Sequence, residues 1–117
     1  MRLQSLFILL SFSFSCIGQS YDHKVRAMVN YSIRTEELLH DTCFSPADIT
    51  SEILSLRVWI SRRGYDKEYT TKGPCLIPEM ISDMRKQRAG ETIGITAVVR
   101  DKLGNSSVVE MIFRIAS

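Results

Sequence analysis

The stretch His40-Asp41-Thr42-Cys43 is the one place where this sequence groups the residue types of a small catalytic or metal site. A cysteine nucleophile needs a histidine held against it in space and a third group that orients the histidine. His40 and Cys43 alone leave a tetrahedral zinc site two ligands short. The cluster lies in a predicted loop, and Cys43 is better explained as half of a disulfide. We therefore expect no enzyme activity and no catalytic, cofactor-binding or metal site; the competing enzyme hypothesis is a Cys/His hydrolase using Cys43 with His40 or His23.

Composition and charge exclude several other classes of function. The chain has 117 residues, a net charge of +2, 44% hydrophobic and 24% charged residues, which is typical of one globular domain. It contains no glycine-rich phosphate loop and no nucleophile elbow. Five basic residues, Arg62, Arg63, Arg85, Lys86 and Arg88, are spread over a turn and a helix end, which favours a solvated face over a nucleic-acid footprint. We expect no nucleic-acid partner.

The N-terminus has the features of a targeting segment. Arg2 precedes a short apolar run at residues 6–14, and the small residues that follow permit cleavage after Gly18. This predicts a signal peptide at 1–18 and a single β-rich domain at 19–117. The alternative is a bacterial lipoprotein with the lipid on Cys16, in which case that anchor would be the protein's only contact with the membrane. Both alternatives predict an exported protein of the periplasm, outer membrane or extracellular space.

Only two cysteines, Cys43 and Cys75, lie in the predicted folded part. Two cysteines in an exported domain most simply form one disulfide, which we predict here. The alternative is that both are small buried apolar residues with free thiols.

The elements that must position these residues are mainly strands. Four stretches alternate between apolar and polar residues, at 24–34, 54–61, 93–99 and 109–115, as half-buried antiparallel strands do. Helical spacing of apolar residues predicts one helix over 78–89, and Ser45-Pro46 predicts the start of a short helical turn. The predicted fold is an antiparallel, immunoglobulin-like β-sandwich with one helix packed on it. Its predicted core is Leu56, Val58, Ile60, Ile95, Ala97, Val99, Met111 and Phe113, covered by Met80, Ile81 and Met84.

Trp59 occupies the nominally outer face of its strand. One explanation is a second sheet that covers this face, as a sandwich requires. The other is an exposed aromatic anchor at a protein interface.

From Leu54 onward the chain resembles the C-terminal domain of the GldM-type periplasmic proteins of bacterial gliding motility and type IX secretion. The matching segments are LSLRVWISRRG (54–64), EYTTKGP (68–74), RKQRAGE (85–91) and ITAVVRDKLGNSSVVEMIFRI (95–115). The resemblance covers about half the chain, whereas residues 21–53 and the cysteines depart from it. It implies an extracytoplasmic location, a sandwich-type fold and a protein-binding role, without catalytic residues.

The sequence thus favours a non-catalytic interaction or structural domain of the bacterial envelope, accessory to gliding or type IX secretion machinery. Its expected partner is a protein, either a second copy of this chain or a subunit of an envelope machine, and it needs no cofactor. The alternative is a small secreted ligand-binding or inhibitor-like domain, which would need a concave apolar pocket.

Overall fold

Five strands form one continuous sheet in the computed structural model, which describes residues 21–117. A two-stranded sheet and two short helices accompany it. The elements are β1 (Lys24–Val25), β2 (Met28–Ile33), α1 (Thr35–Leu38), β3 (Ser45–Pro46), β4 (Glu52–Arg62), β5 (Tyr65–Lys72), α2 (Pro78–Met84), β6 (Thr92–Arg100) and β7 (Ser106–Ile115).

The strand order in the large sheet is β2-β7-β6-β4-β5. Strands β4 to β7 pair antiparallel with their neighbours, whereas β2 lies parallel to β7. The β4–β5 hairpin turns at Arg63-Gly64, where Gly64 has a φ of 71° that favours glycine. The β6–β7 hairpin turns through 101–105, where the Asp101 carboxylate accepts hydrogen bonds from the backbone N–H groups of Leu103 and Asn105. The sheet therefore contains two antiparallel hairpins, β4–β5 and β6–β7.

One face of the sheet carries the core. The residues that the alternation places on this face are fully buried, namely Leu56, Val58, Ile60, Ile95, Ala97, Met111 and Phe113. Met80 and Met84 of α2 are also fully buried, while Ile81 and Val99 are half-buried at the edge of the cluster. The mainly β class and the predicted core face are confirmed. A sandwich is not confirmed, because residues 21–117 form a single large sheet with a two-stranded companion.

A bulge shifts the start of β4. Its pairing with β6 is irregular between Ile53 and Ser55, so that Ile53 is buried and Leu54 is only half-buried. The alternation predicted Leu54 on the core face. One extra residue in a strand moves the preceding side chain to the other face, and the apolar pattern cannot show where this happens.

The region at 24–34 is not one regular strand, contrary to the prediction. Asn30 has a φ of 55°, and the pairing of β2 with β7 is irregular between Met28 and Tyr31. Asparagine tolerates this left-handed conformation better than most residues. The break leaves Val25 and Ile33 buried but Val29 76% exposed.

Ser45-Pro46 does not begin a helical turn, so the prediction of a helix start at this position is wrong. These residues form β3, parallel to β1, and Ser45 N–H donates to the His23 carbonyl at 2.9 Å. The buried Phe44 ring precedes them and fixes the chain in an extended conformation. The predicted 78–89 helix also ends early, at Met84, because buried Gln87 bonds to the backbone of both β4 and β6.

Cys43 and Cys75 are joined by a disulfide with their Cα atoms 3.9 Å apart. The two cysteines face each other in an isolated antiparallel bridge. Phe44 N–H donates to the Pro74 carbonyl and Leu76 N–H donates to the Thr42 carbonyl, so the cysteines are the non-hydrogen-bonded pair between them. Such pairs bring Cα atoms close together. The disulfide ties the segment before β3 to the segment before α2.

Candidate functional site

The residues of the His40–Cys43 cluster are not assembled into a reactive group. The sulfur of Cys43 is held in the disulfide, and His40 is exposed. His23 is buried, with Nε2 2.6 Å from the carbonyl oxygen of Leu38. Within 21–117, no three His, Cys, Asp or Glu residues are grouped as metal ligands, and neither helix has the length and apolar character needed to cross a bilayer.

The sheet face opposite α2 is the most prominent surface of the described chain. We call it the open face, because its side chains are exposed or half-buried. Strand register arranges it in three cross-strand rows. These are Glu68-Trp59-Gly94-Ile112, Thr70-Arg57-Thr96-Glu110 and Lys72-Ser55-Val98-Val108.

Trp59 is the largest side chain on the open face and is 43% exposed. It pairs with Gly94 of β6, and a Cβ atom at Gly94 would lie only 3.3 Å from Cε3 of the indole. Gly94 itself is buried. The glycine therefore lets the indole lie against the sheet, which limits the ring's freedom while one side of it stays in water. The next position in this row is Ile112, which extends the apolar surface.

Two depressions lie on the open face, and Trp59 lines the first of them. One of about 350 Å³ lies among Trp59, Gly94, Thr96, Ile112, Arg57, Glu68 and Glu110. A smaller one of about 130 Å³ lies among Ser55, Arg57, Thr70, Thr96, Val98 and Val108. Arg57 Nε is 3.6 Å from Glu68 Oε2, and both side chains are more than half exposed, so this pair contributes little to stability. The open face thus combines one large aromatic ring, aliphatic neighbours and charges of both signs.

A second cluster of functional groups lies on the other side of the sheet, around the buried carboxylate of Asp83 in α2. Asp83 Oδ2 accepts hydrogen bonds from the hydroxyls of Tyr65 at 2.6 Å and Tyr69 at 2.8 Å. Nη2 of Arg62 lies 2.9 Å from Oδ1 as an ion pair, although Oδ1 receives no hydrogen bond within the described residues. The Arg62 guanidinium also lies 4.0 Å from the centre of the Tyr65 ring.

This network shifts three pKa values. Burial alone would raise the pKa of Asp83, but the hydrogen bonds from both tyrosines and the charge of Arg62 outweigh it and hold that pKa below its usual value. The pKa values of Tyr65 and Tyr69 are raised, first by their hydrogen bonds to Asp83 and then by desolvation. Both tyrosine hydroxyls and the Arg62 guanidinium converge on this one carboxylate, so we interpret the network as a support that attaches α2 to β4 and β5.

Replacing Asp83 by alanine is expected to lower the free energy of unfolding by about 2–3 kcal/mol at pH 7. Removing one partner of a buried ion pair leaves the other charge uncompensated, and the effect is reduced here because Arg62 is 20% exposed. Urea denaturation measures it, with Ser82→Ala on the exposed side of α2 as the control, expected to change stability by less than about 0.5 kcal/mol. A loss under about 1 kcal/mol for Asp83→Ala would contradict the supporting role.

The same variant should remove a pH dependence. Because the pKa of Asp83 is lowered by folding, its stabilisation is complete above about pH 4, the pKa of an unfolded aspartate, and is lost as the pH falls through the lower folded value. The raised pKa values of Tyr65 and Tyr69 give the opposite sign. Their contribution is complete below about pH 10 and is lost as the pH rises through the folded values. The difference between wild type and Asp83→Ala should therefore shrink at both extremes.

The sequence placed Trp59 on the outer face correctly but did not indicate the Asp83 network. Tyr65 and Tyr69 lie four residues apart on a polar edge strand, and no local pattern shows that both hydroxyls converge on one carboxylate. In comparisons with known proteins, the chain matches no protein-family model and no curated protein.

Proposed function

We propose that the protein is a non-catalytic, extracytoplasmic interaction domain that binds a protein partner through the open face. The observation that carries this proposal is Trp59, a tryptophan on β4 that is 43% exposed and lies against Gly94. Tryptophan is enriched at binding hot spots, where a rigid aromatic ring fills a partner's pocket at little cost in entropy.

The surroundings of Trp59 fit a protein better than a small molecule. Hot spots are typically bordered by polar side chains that exclude water, and Arg57, Glu68 and Glu110 border the tryptophan in this way. The depressions are lined mostly by polar and charged side chains, whereas small-molecule sites are lined predominantly by apolar ones. A partner that laid its own sheet on the open face would also complete the immunoglobulin-like sandwich that the sequence predicts.

The disulfide and the predicted targeting segment support the proposed location. Disulfides such as Cys43–Cys75 form in oxidising compartments. The targeting segment predicted at 1–18 and the alternative lipid on Cys16 lie outside the described residues. Together with the resemblance to GldM-type proteins, these features support a role in the bacterial envelope, as an accessory of gliding or type IX secretion machinery or of a comparable surface assembly.

Trp59→Ala is expected to weaken partner binding by about 30-fold or more, since hot-spot truncations cost about 2 kcal/mol or more. The partner is first captured from the native envelope on the immobilised protein and identified, and its affinity is then measured with purified components. The matched control is Leu103→Ala, which removes a 78% exposed apolar side chain from the β6–β7 turn, outside the open face.

The control should change affinity less than about threefold, within the range of neutral surface contacts. Thermal unfolding verifies that both variants remain folded. A folded Trp59→Ala protein that binds its partner as tightly as wild type would contradict the proposal. So would self-association or partner binding that responds to Leu103→Ala but not to Trp59→Ala.

A further inference from the structure

The structure gathers four basic side chains at the end of the sheet where β4 turns into β5. Arg62, Arg63, Lys86 and Arg88 line one depression of about 560 Å³, together with the carboxylate residue Glu91. In the sequence these residues lie in two separate groups, one in the hairpin and one after α2. The fold brings the groups together, so the charges act on one volume. We call this depression the basic cleft.

One side chain of the basic cleft, Arg62, is held in position by buried groups. Nη1 of Arg62 donates to Gln87 Oε1 at 3.0 Å, and its Nη2 lies 2.9 Å from Asp83 Oδ1. Gln87 is buried, and its Nε2 donates to the carbonyls of Ser61 and Thr92, both at 2.9 Å. Arg62 is therefore positioned before any ligand arrives, which lowers the entropic cost of binding at this point.

The charges of the cleft are not balanced within the described chain. Asp83 pairs with Arg62, but no carboxylate of residues 21–117 lies within 4.0 Å of a charged nitrogen of Arg63, Lys86 or Arg88. The only acidic residue that lines the cleft is Glu91, and its Oε1 accepts a hydrogen bond from the backbone N–H of Arg88 at 2.6 Å. With Arg62 paired, three cations and one anion remain around one depression, an excess of two positive charges.

We propose that the basic cleft binds a phosphate-type oxyanion, a group that carries close to two negative charges near neutral pH. A dianion would balance the excess charge, whereas a single carboxylate would not. Arginine forks and a lysine that approach from different directions suit the several acceptor oxygens of a tetrahedral group. This site is distinct from the open face and does not depend on the function proposed for Trp59.

The test is a titration with inorganic phosphate at pH 7.5 and constant ionic strength, followed by the amide NMR signals of the full chain. We expect saturable shifts confined to 62–64 and 86–91. The double variant Arg63→Gln/Arg88→Gln should weaken binding at least about tenfold, because it removes two of the three unpaired charges that can donate charge-assisted hydrogen bonds to the anion. Lys102→Gln, at the opposite end of the sheet, is the matched control and should leave the affinity unchanged.

Glu91→Gln is expected to raise the affinity for phosphate, opposite to the effect of the double variant. It removes the one negative charge that lines the cleft but retains a side-chain oxygen for the Arg88 N–H, so phosphate should bind about threefold more tightly. Cosedimentation with phosphatidylcholine vesicles, with and without phosphatidic acid, distinguishes a lipid headgroup from a free phosphate as the source. Shifts that chloride reproduces at equal ionic strength, or no saturable binding to either phosphate or phosphatidic acid, would overturn the proposal.

Discussion

Replacing Phe113 by alanine is expected to lower the free energy of unfolding by about 3–5 kcal/mol, the range for truncating a fully buried phenylalanine. Phe113 lies in β7 with no exposed surface. The centre of its ring lies 5.5 Å from that of Tyr21 and 6.0 Å from that of Tyr31, and both pairs are arranged edge to face. The substitution would therefore remove the aromatic contacts that β7 makes with Tyr21 and Tyr31. A loss of this size is most of the stability that a small domain has.

Urea denaturation of the wild type and variant tests this expectation. Val108→Ala is the control, because Val108 belongs to the same strand but points to the open face and is 68% exposed. Its cost should stay below about 1 kcal/mol, as for other exposed substitutions. Equal losses for the two variants would mean that the buried and open faces of β7 are wrongly assigned.

Removing the Cys43–Cys75 disulfide is expected to cost about 3 kcal/mol. The bridge closes a loop with a sequence separation of 32, and cross-links of this length reduce the entropy of the unfolded chain by roughly that amount. That loop contains β4, β5 and the buried side chain of Phe44. The loss should appear as a lower urea midpoint in both the reduced wild type and the Cys43→Ala/Cys75→Ala variant.

The double variant also supplies the control for the reductant. Dithiothreitol should destabilise the wild type but leave the unfolding of Cys43→Ala/Cys75→Ala unchanged. If the wild type, denatured without reductant, shows two reactive thiols at these positions, the disulfide is absent and Cys43 again becomes a candidate nucleophile.

The sequence was most informative where local pattern and long-range pairing agree. Leu56, Val58 and Ile60 alternate with polar residues, and antiparallel neighbours on both sides preserve that alternation. It was least informative before residue 53. There Asn30 breaks a strand by adopting a positive φ, and Ser45-Pro46 pairs as a strand despite a sequence typical of a helix start. Both outcomes depend on contacts with distant parts of the chain, which override weak local preferences.

The candidate sites also combine features that the sequence predicts with features that depend on the fold. The outward position of Trp59 follows from strand periodicity and could be predicted. The support provided by Gly94 depends on the register between β4 and β6, which periodicity alone does not give. The basic cleft required the fold to bring the β4–β5 turn against the segment after α2. Charges that appear dispersed along the sequence can therefore form one site.

The parallel pairing of β2 with β7 has a consequence for the order of folding. Paired strands among β4 to β7 are either consecutive or separated only by β5 and α2, whereas β2 lies near the beginning of the described chain and its partner β7 at the end. Closing such a long loop carries a larger entropic cost, so we expect β2 to dock late. Until it does, the hydrogen-bonding edge of β7 is open to other chains. During synthesis from the N-terminus, β2 is therefore made early but can pair only after β7, the last strand, is complete.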